Sequence, residues 1–212
     1  MSPDPPTFLP LTAAEQRELL WLARQSIRTA LDGETPPACA TITPALNEPA
    51  GVFVSLHRDG RLRGCIGAVT AERPLYQAVA RMAVSAAFDD PRFPPLTKAE
   101  LPATAIEISR LSRLTPGPAE HICPGRHGVY LKHREQCGVF LPQVALEYRW
   151  DRETLLSELC RKAMLPRDAW KHPETTLMLF EADVFSEKDA YGSQADGTQG
   201  IAPGAAPGKR TP

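Results

Sequence analysis

With 212 residues, 42% hydrophobic and 23% charged, the chain has the size and balance of one soluble globular domain that can divide into two lobes around a substantial core. Its formal net charge of -1 and its scattered Lys and Arg offer polyanions no global attraction, so nucleic acid is not an expected partner. No apolar run suits a membrane span, and the opening MSPDPPTFLP lacks both a basic and an apolar signal region, so the default location is the cytoplasm.

The first ten residues hold four prolines and read as an unstructured leader. Thr12 and Glu15 have capping-box spacing, and Leu19, Leu20, Leu22, Ala23, Ile27, Ala30 and Leu31 recur at helical period until Gly33, which predicts a helix over Ala13–Asp32. The proline-rich stretch to Ala50 reads as a loop. From Gly51 to Ala68 the sequence is GVFVSLHRDGRLRGCIGA. Val52, Val54 and Leu56 alternate with Phe53, Ser55 and His57, and Asp59-Gly60 is a tight-turn pair, so a hairpin is predicted. Gly64 and Gly67 weaken the return strand, and close backbone approach or a bulge would explain them.

Pro74 suits the first turn of a second helix with the apolar stripe Leu75, Ala78, Val79, Met82, Ala83 and Ala86, ended by Pro91. The prolines of DDPRFPPLT exclude helix and central strand, leaving a loop ordered by burial of Phe93 and Leu96. Thr97 and Glu100 repeat the capping-box spacing. Strands are predicted at Thr104–Ser109, Gly128–His133 and Gly138–Leu141, the last two joined as a hairpin. Residues 142–149 are ambiguous. Asp151 caps a helix whose stripe is Leu155, Leu156, Leu159, Cys160 and Ala163, and Pro166 stops it. Leu177–Phe185 reads as one strand with Met178, Phe180, Ala182 and Val184 on a common face. The stretch from 189 to 212, rich in Gly, Ala and Pro, reads as a disordered tail. Strand pairs joined as hairpins favour an α+β fold, an antiparallel or mixed sheet sandwich with helices in two lobes, over a doubly wound sheet.

Cys65 is the leading candidate for chemistry, because a thiolate beside the fixed charge of Arg63 would be stabilised. The competing reading is a small buried thiol between two glycines. His57 on the partner strand and His127, in the turn Gly125-Arg126-His127-Gly128, are placed to serve as base, against the alternative of a surface turn histidine. Glu107, on the polar face of its strand, is a general base if that face lines a cleft and a solvated carboxylate otherwise. Asp90 and Arg92 either clamp a substrate anion or fix their own loop.

The five cysteines, Cys39, Cys65, Cys123, Cys137 and Cys160, form no Cys-x-x-Cys pair and read as free thiols. His121, Cys123, His127, His133 and Cys137 invite a zinc reading, but their spacing forms no coherent ligand set, so no metal and no cofactor is expected. No phosphate loop or dinucleotide glycine fingerprint follows a strand, which removes the common nucleotide-binding readings, though not every one.

The run Leu62-Arg63-Gly64-Cys65-Ile66-Gly67 resembles the signature hexapeptide of the AMMECR domain family, whose prokaryotic members are called AmmeMemoRadiSam system protein A. The resemblance continues through Asp90-Pro91-Arg92-Phe93-Pro94-Pro95-Leu96-Thr97, Ile106-Glu107-Ile108-Ser109, Gly125-Arg126-His127-Gly128-Val129, Leu141-Pro142-Gln143-Val144-Ala145 and Trp150-Asp151. It implies a family domain over residues 11–188. It also implies association with a Memo-like protein and a radical SAM protein in a modification pathway, with Cys65, Arg63, His127 and Glu107 as catalytic candidates. Gly64, Gly67, His57, Asp90 and Arg92 are then ligand-binding candidates for a small-molecule or nucleotide-type substrate. The alternative is a scaffold or substrate-binding module for those partners, without chemistry of its own. One departure stands out: relatives often carry Lys-Ala-Gly-Leu-Pro after the last long helix, where this chain has Lys162, Ala163, Met164, Leu165 and Pro166.

Overall fold

The computed structural model describes residues 10–192, so the expected leader lies outside it apart from Pro10, as does most of the expected tail. In chain order the elements of the first half are α1 (Ala13–Asp32), α2 (Pro44–Asn47), β1 (Val52–Arg58), β2 (Arg61–Ala68), α3 (Leu75–Phe88) and β3 (Thr104–Leu111). They are followed by β4 (Thr115–Pro116), β5 (Gly128–His133), β6 (Gln136–Phe140), α4 (Pro142–Glu147), α5 (Arg152–Lys162), β7 (Thr175–Phe180), β8 (Ala182–Ser186) and α6 (Glu187–Tyr191). Short 3-10 turns join several of them. The strands form two antiparallel four-stranded sheets, ordered β2-β1-β3-β8 and β4-β7-β5-β6, which is the α+β sandwich in two lobes expected from the sequence.

Each lobe has its own core. In the first, α1 and α3 bury Leu19, Leu20, Ile27, Leu75, Val79 and Ala83 against Val52, Val54, Leu56, Ile106 and Ile108 of the sheet. In the second, Leu155, Leu156 and Leu159 of α5 pack on Val129, Leu131, Leu177 and Leu179. The alternation of β1 therefore sends its valines and Leu56 to the helices and leaves Phe53, Ser55 and His57 on the opposite face.

Local signals act where the sequence places them. Thr12 and Glu15 form a reciprocal capping box on α1, and Gly33 ends that helix in the left-handed region. Asp59 (φ 51°) and Gly60 (φ 73°) make the hairpin turn. Asp151 caps α5 through a 2.8 Å bond from the Thr154 amide. After α5, Met164 occupies the position where a glycine is usual, with φ 60°, while the Leu165 amide still closes onto the Cys160 carbonyl. Met164 holds this left-handed position with 84% of its surface exposed.

Three expectations are corrected. The stretch Leu177–Phe185 is two strands in different sheets, broken at Glu181, whose amide and carbonyl both bond to Ser112. The cores take Leu177, Leu179 and Phe185, so the buried set mixes into the opposite parity from the face predicted. The tail boundary moves outward, since Glu187–Tyr191 forms α6, capped by Ser186. Finally, the loop before the hairpin contains α2, capped by Thr43.

The glycines of β2 have internal reasons. A Cβ on Gly64 would lie 2.2 Å from the Ala86 carbonyl oxygen of α3, and one on Gly67 would lie 2.3 Å from the Phe53 ring. The space that a ligand would need beside Gly64 is thus filled by α3, which corrects its expected place as a ligand contact. The bulge appears as well: Leu56 pairs with Gly64 and His57 with Leu62, leaving Arg63 as the extra residue. Gly64→Ala is expected to destabilise the protein by more than about 2 kcal/mol, because the clash is with backbone that cannot rotate away. A denaturant melt with a loss under about 0.5 kcal/mol would contradict this packing role.

Candidate functional site

β2 is the edge strand of its sheet, and the backbone of Cys65 points outward from that edge. Two side chains of the proline loop meet it. Asp90 Oδ2 accepts from the Cys65 amide at 2.8 Å, and Arg92 Nη2 donates to the Cys65 carbonyl oxygen at 3.3 Å. Asp90 also accepts from the Arg92 amide at 3.1 Å and from its Nε and Nη2 at 2.9 and 2.7 Å. The carboxylate is buried at 4% exposure, and these charge-assisted bonds, the Arg92 side chain foremost, hold its pKa down to about 2. Asp90 and Arg92 form the loop-fixing pair, and Arg92 extends it to the Cys65 carbonyl.

With its amide and carbonyl turned away from β1, Cys65 stands opposite Ser55 as a non-hydrogen-bonded pair, in which side chains approach closely. Ser55 Oγ donates to Cys65 Sγ at 3.3 Å. Ser55 in turn lies opposite Glu107 on β3, and Glu107 opposite Ser186 on β8. A polar row, Cys65–Ser55–Glu107–Ser186, therefore crosses the sheet on the face turned from the helices. Cys65 and Glu107 are two strands apart, about 10 Å between backbones, so Ser55 is the group between them.

The second lobe touches this face. Gln143 of α4 donates to Ser109 Oγ at 3.1 Å, leaving its Oε1 buried without a partner among the described residues. Lys162, at the end of α5, lies within electrostatic reach of both the Cys65 thiol and Arg92, and burial pulls its pKa down. Its ammonium donates to the Val139 carbonyl at 2.9 Å and sits 4.6 Å from the Phe140 ring centroid. Lys162 also lines a cavity of about 350 Å³ with Phe140, Tyr148, Trp150, Glu158 and Arg161. Cys65 thus has two cations near it, one from each lobe.

Glu107 is more than half buried, and burial raises its pKa, while His57 opposes the rise. Both line a second cavity of about 120 Å³ with Gly60, Ile106, Ser186 and Lys188, and His57 Nε2 is buried there without a hydrogen-bond partner among the described residues. The condition set for Glu107 as a base, that its face lines a cleft, is met.

Two placements differ from expectation. Arg63, displaced by the bulge, donates from Nε and Nη2 to Glu100 at 3.1 and 3.3 Å, and its charge is spent on that carboxylate rather than on the thiol. Arg63 and the Thr97 amide in turn hold Glu100 at a pKa of about 2. His127 sits in the second lobe, where its Nδ1 accepts from the Cys123 amide at 3.1 Å and burial lowers its pKa; it shares no partner with Cys65 among the described residues. Sequence reasoning missed Ser55 and Lys162. Ser55 was not legible from the turn, because the Asp59-Gly60 register alone sets Val54 opposite Cys65 and the bulge at Arg63 shifts the pairing by one residue. Lys162 was not legible either, because only the docking of two lobes brings it there.

The chain matches the AMMECR1 family model over residues 20–185. A protein of Nanoarchaeum equitans is 38% identical over 78% of this chain and 97% of its own length. One from Pyrococcus furiosus is 40% identical over 80% of this chain and 87% of its own. Among solved structures, the uncharacterized protein PH0010 from Pyrococcus horikoshii superposes with a TM-score of 0.77 at 38% identity, covering 84% of this chain and 94% of that one.

The buried clamp carries a pH signature. Asp90 is held to about 2 in the folded protein against an ordinary value of 3.8, so its ionised form contributes stability that is complete above about pH 3.8 and lost as pH falls through about 2. Acid denaturation followed at fixed denaturant is expected to show a flatter pH dependence between those limits in Asp90→Asn than in the wild type. An unchanged slope would mean that Asp90 is not clamped.

Proposed function

We propose, from the premise that the chain belongs to the AMMECR1 family, that it is a component of a modification pathway acting with Memo-like and radical SAM proteins, and that Cys65 is its reacting group. The observation that carries this reading is the convergence on Cys65: its backbone is clamped by Asp90 and Arg92, its sulfur accepts from Ser55, and Lys162 approaches from the other lobe. A thiol held this way is positioned rather than merely packed. Two nearby cations attract an anionic reactant to it. Glu107, with its raised pKa and open cavity, is the group that would move a proton on the same face.

A second reading, a scaffold without chemistry, has its own support. Leu146 and Tyr148, at the end of α4, are 64% and 63% exposed beside the aromatic cavity, as a docking surface would be.

One labelling experiment separates the two. Cys65 is expected to react with iodoacetate faster, relative to neutral iodoacetamide, than Cys123 or Cys137, by on the order of a few-fold, and the preference should fall in Lys162→Met. Adding the Memo-like and radical SAM proteins should slow Cys65 labelling. Protection by the partners with no anion preference would favour the scaffold. Neither protection nor preference would overturn both.

A further inference from the structure

The second lobe brings together three residues that the sequence holds apart: His133 at the end of β5, and His172 and Glu174 in the turn before β7. One ligand atom from each lies within 4.8 Å of the other two, and the two imidazoles meet edge to face with centroids 5.3 Å apart. We propose that His133, His172 and Glu174 form a binding site for a divalent transition-metal ion of the zinc class, with its remaining positions open to water. This site lies in the other lobe from Cys65 and does not depend on the function proposed for that residue.

The hydrogen bonds around the cluster decide the tautomer of neutral His133. The Thr175 hydroxyl lies 2.6 Å from the Ala169 carbonyl oxygen, which can only accept, so the single hydroxyl proton is committed there. The 2.8 Å contact between Thr175 Oγ1 and His133 Nδ1 must then run from the ring N–H to the hydroxyl oxygen. This fixes the proton on Nδ1 and leaves Nε2 with a free lone pair. An imidazole whose other nitrogen donates to a fixed oxygen is the arrangement that orients metal-ligating histidines. The turn is equally well fixed, by bonds from the His172 amide to the Ala169 carbonyl and from the Thr175 amide to the His172 carbonyl, 3.0 and 2.9 Å.

The other two residues can reach an ion at small cost. Both contacts from Arg134 to Glu174 fall on Oε2, leaving Oε1 for a metal. His172 Nδ1 accepts from the Glu174 amide at 3.2 Å, a long bond at an exposed residue that a cation would replace. Two imidazoles and one carboxylate match the donor set of open transition-metal sites rather than those of magnesium or calcium, which take oxygen ligands. The His and Cys residues between 121 and 137 gave no such set, because the partners of His133 lie beyond the second helix of the lobe.

The test is equilibrium dialysis of metal-stripped protein against zinc, with cobalt(II) as a spectroscopic probe. The wild type is expected to bind about one zinc per chain. His172→Ala and Glu174→Gln, at exposed positions that leave the metal-free thermal midpoint unchanged, should each weaken binding about tenfold or more. Cobalt should give visible d–d bands without the near-ultraviolet charge-transfer band of a thiolate ligand. Absence of binding, affinity unaltered in both variants, or a thiolate band that persists in them would overturn the proposal.

Discussion

The carboxylate of Asp90 is the group on which the arrangement around Cys65 depends. An edge strand exposes backbone donors and acceptors that must be satisfied or shielded, and here a neighbouring loop does so with an Asp–Arg pair instead of another strand. Burying a carboxylate is costly by several kcal/mol unless charge-assisted bonds compensate. The Arg92 fork, the Arg92 amide and the Cys65 amide supply them together, so none of the three can move independently. The same loop is tied to α3 by the bond from the Leu96 amide to the Ala87 carbonyl, next in the chain to the Ala86 carbonyl that presses on Gly64. Helix, loop and edge strand are therefore one mechanical unit, with the thiol at its centre.

Electrostatics decide which cation serves that thiol. Arg63 is nearest in sequence, but its Nε and Nη2 are turned to Glu100, which Arg58 also contacts at 3.0 Å, and the bulge carries it out of the row. Arg92 shares its charge with Asp90, yet its Nη2 still reaches the Cys65 carbonyl. Lys162 is the cation in reach of the thiol whose recorded hydrogen bond is to a neutral carbonyl, and it comes from the other lobe. Relative placement of the lobes thus contributes to the local potential at Cys65.

Much of this architecture was legible in the chain because it is written in local chemistry. The Thr12–Glu15 box, Gly33, the Asp59-Gly60 turn and the Asp151 cap each satisfy backbone groups within a few residues. The period of β1 separated the core from the polar face, whereas the Cys65–Ser55 pairing depends on the bulge at Arg63, which moves the register set by the turn by one residue. Where the reading failed, the cause was long-range. Nothing in the alternation of residues 175–186 marks the crossing at Glu181, because the chain stays extended while it changes sheets. Gly64 reads the same whether a ligand or a helix lies against it, and only α3 settles which. The placement of Lys162 within electrostatic reach of Cys65, and the meeting of His133 with His172 and Glu174, have no sequence signal at all, since each depends on elements packed from distant parts of the chain.

The central claim, that Asp90 and Arg92 take the place of a neighbouring strand and thereby hold Cys65, is most directly tested by amide hydrogen exchange resolved to single residues of β2. The account predicts that the Cys65 amide exchanges slowly despite its place on an edge strand, and that Asp90→Ala accelerates it while the amides of β1 and β3 remain protected. A Cys65 amide that exchanges in the wild type as fast as an unprotected loop amide would contradict it.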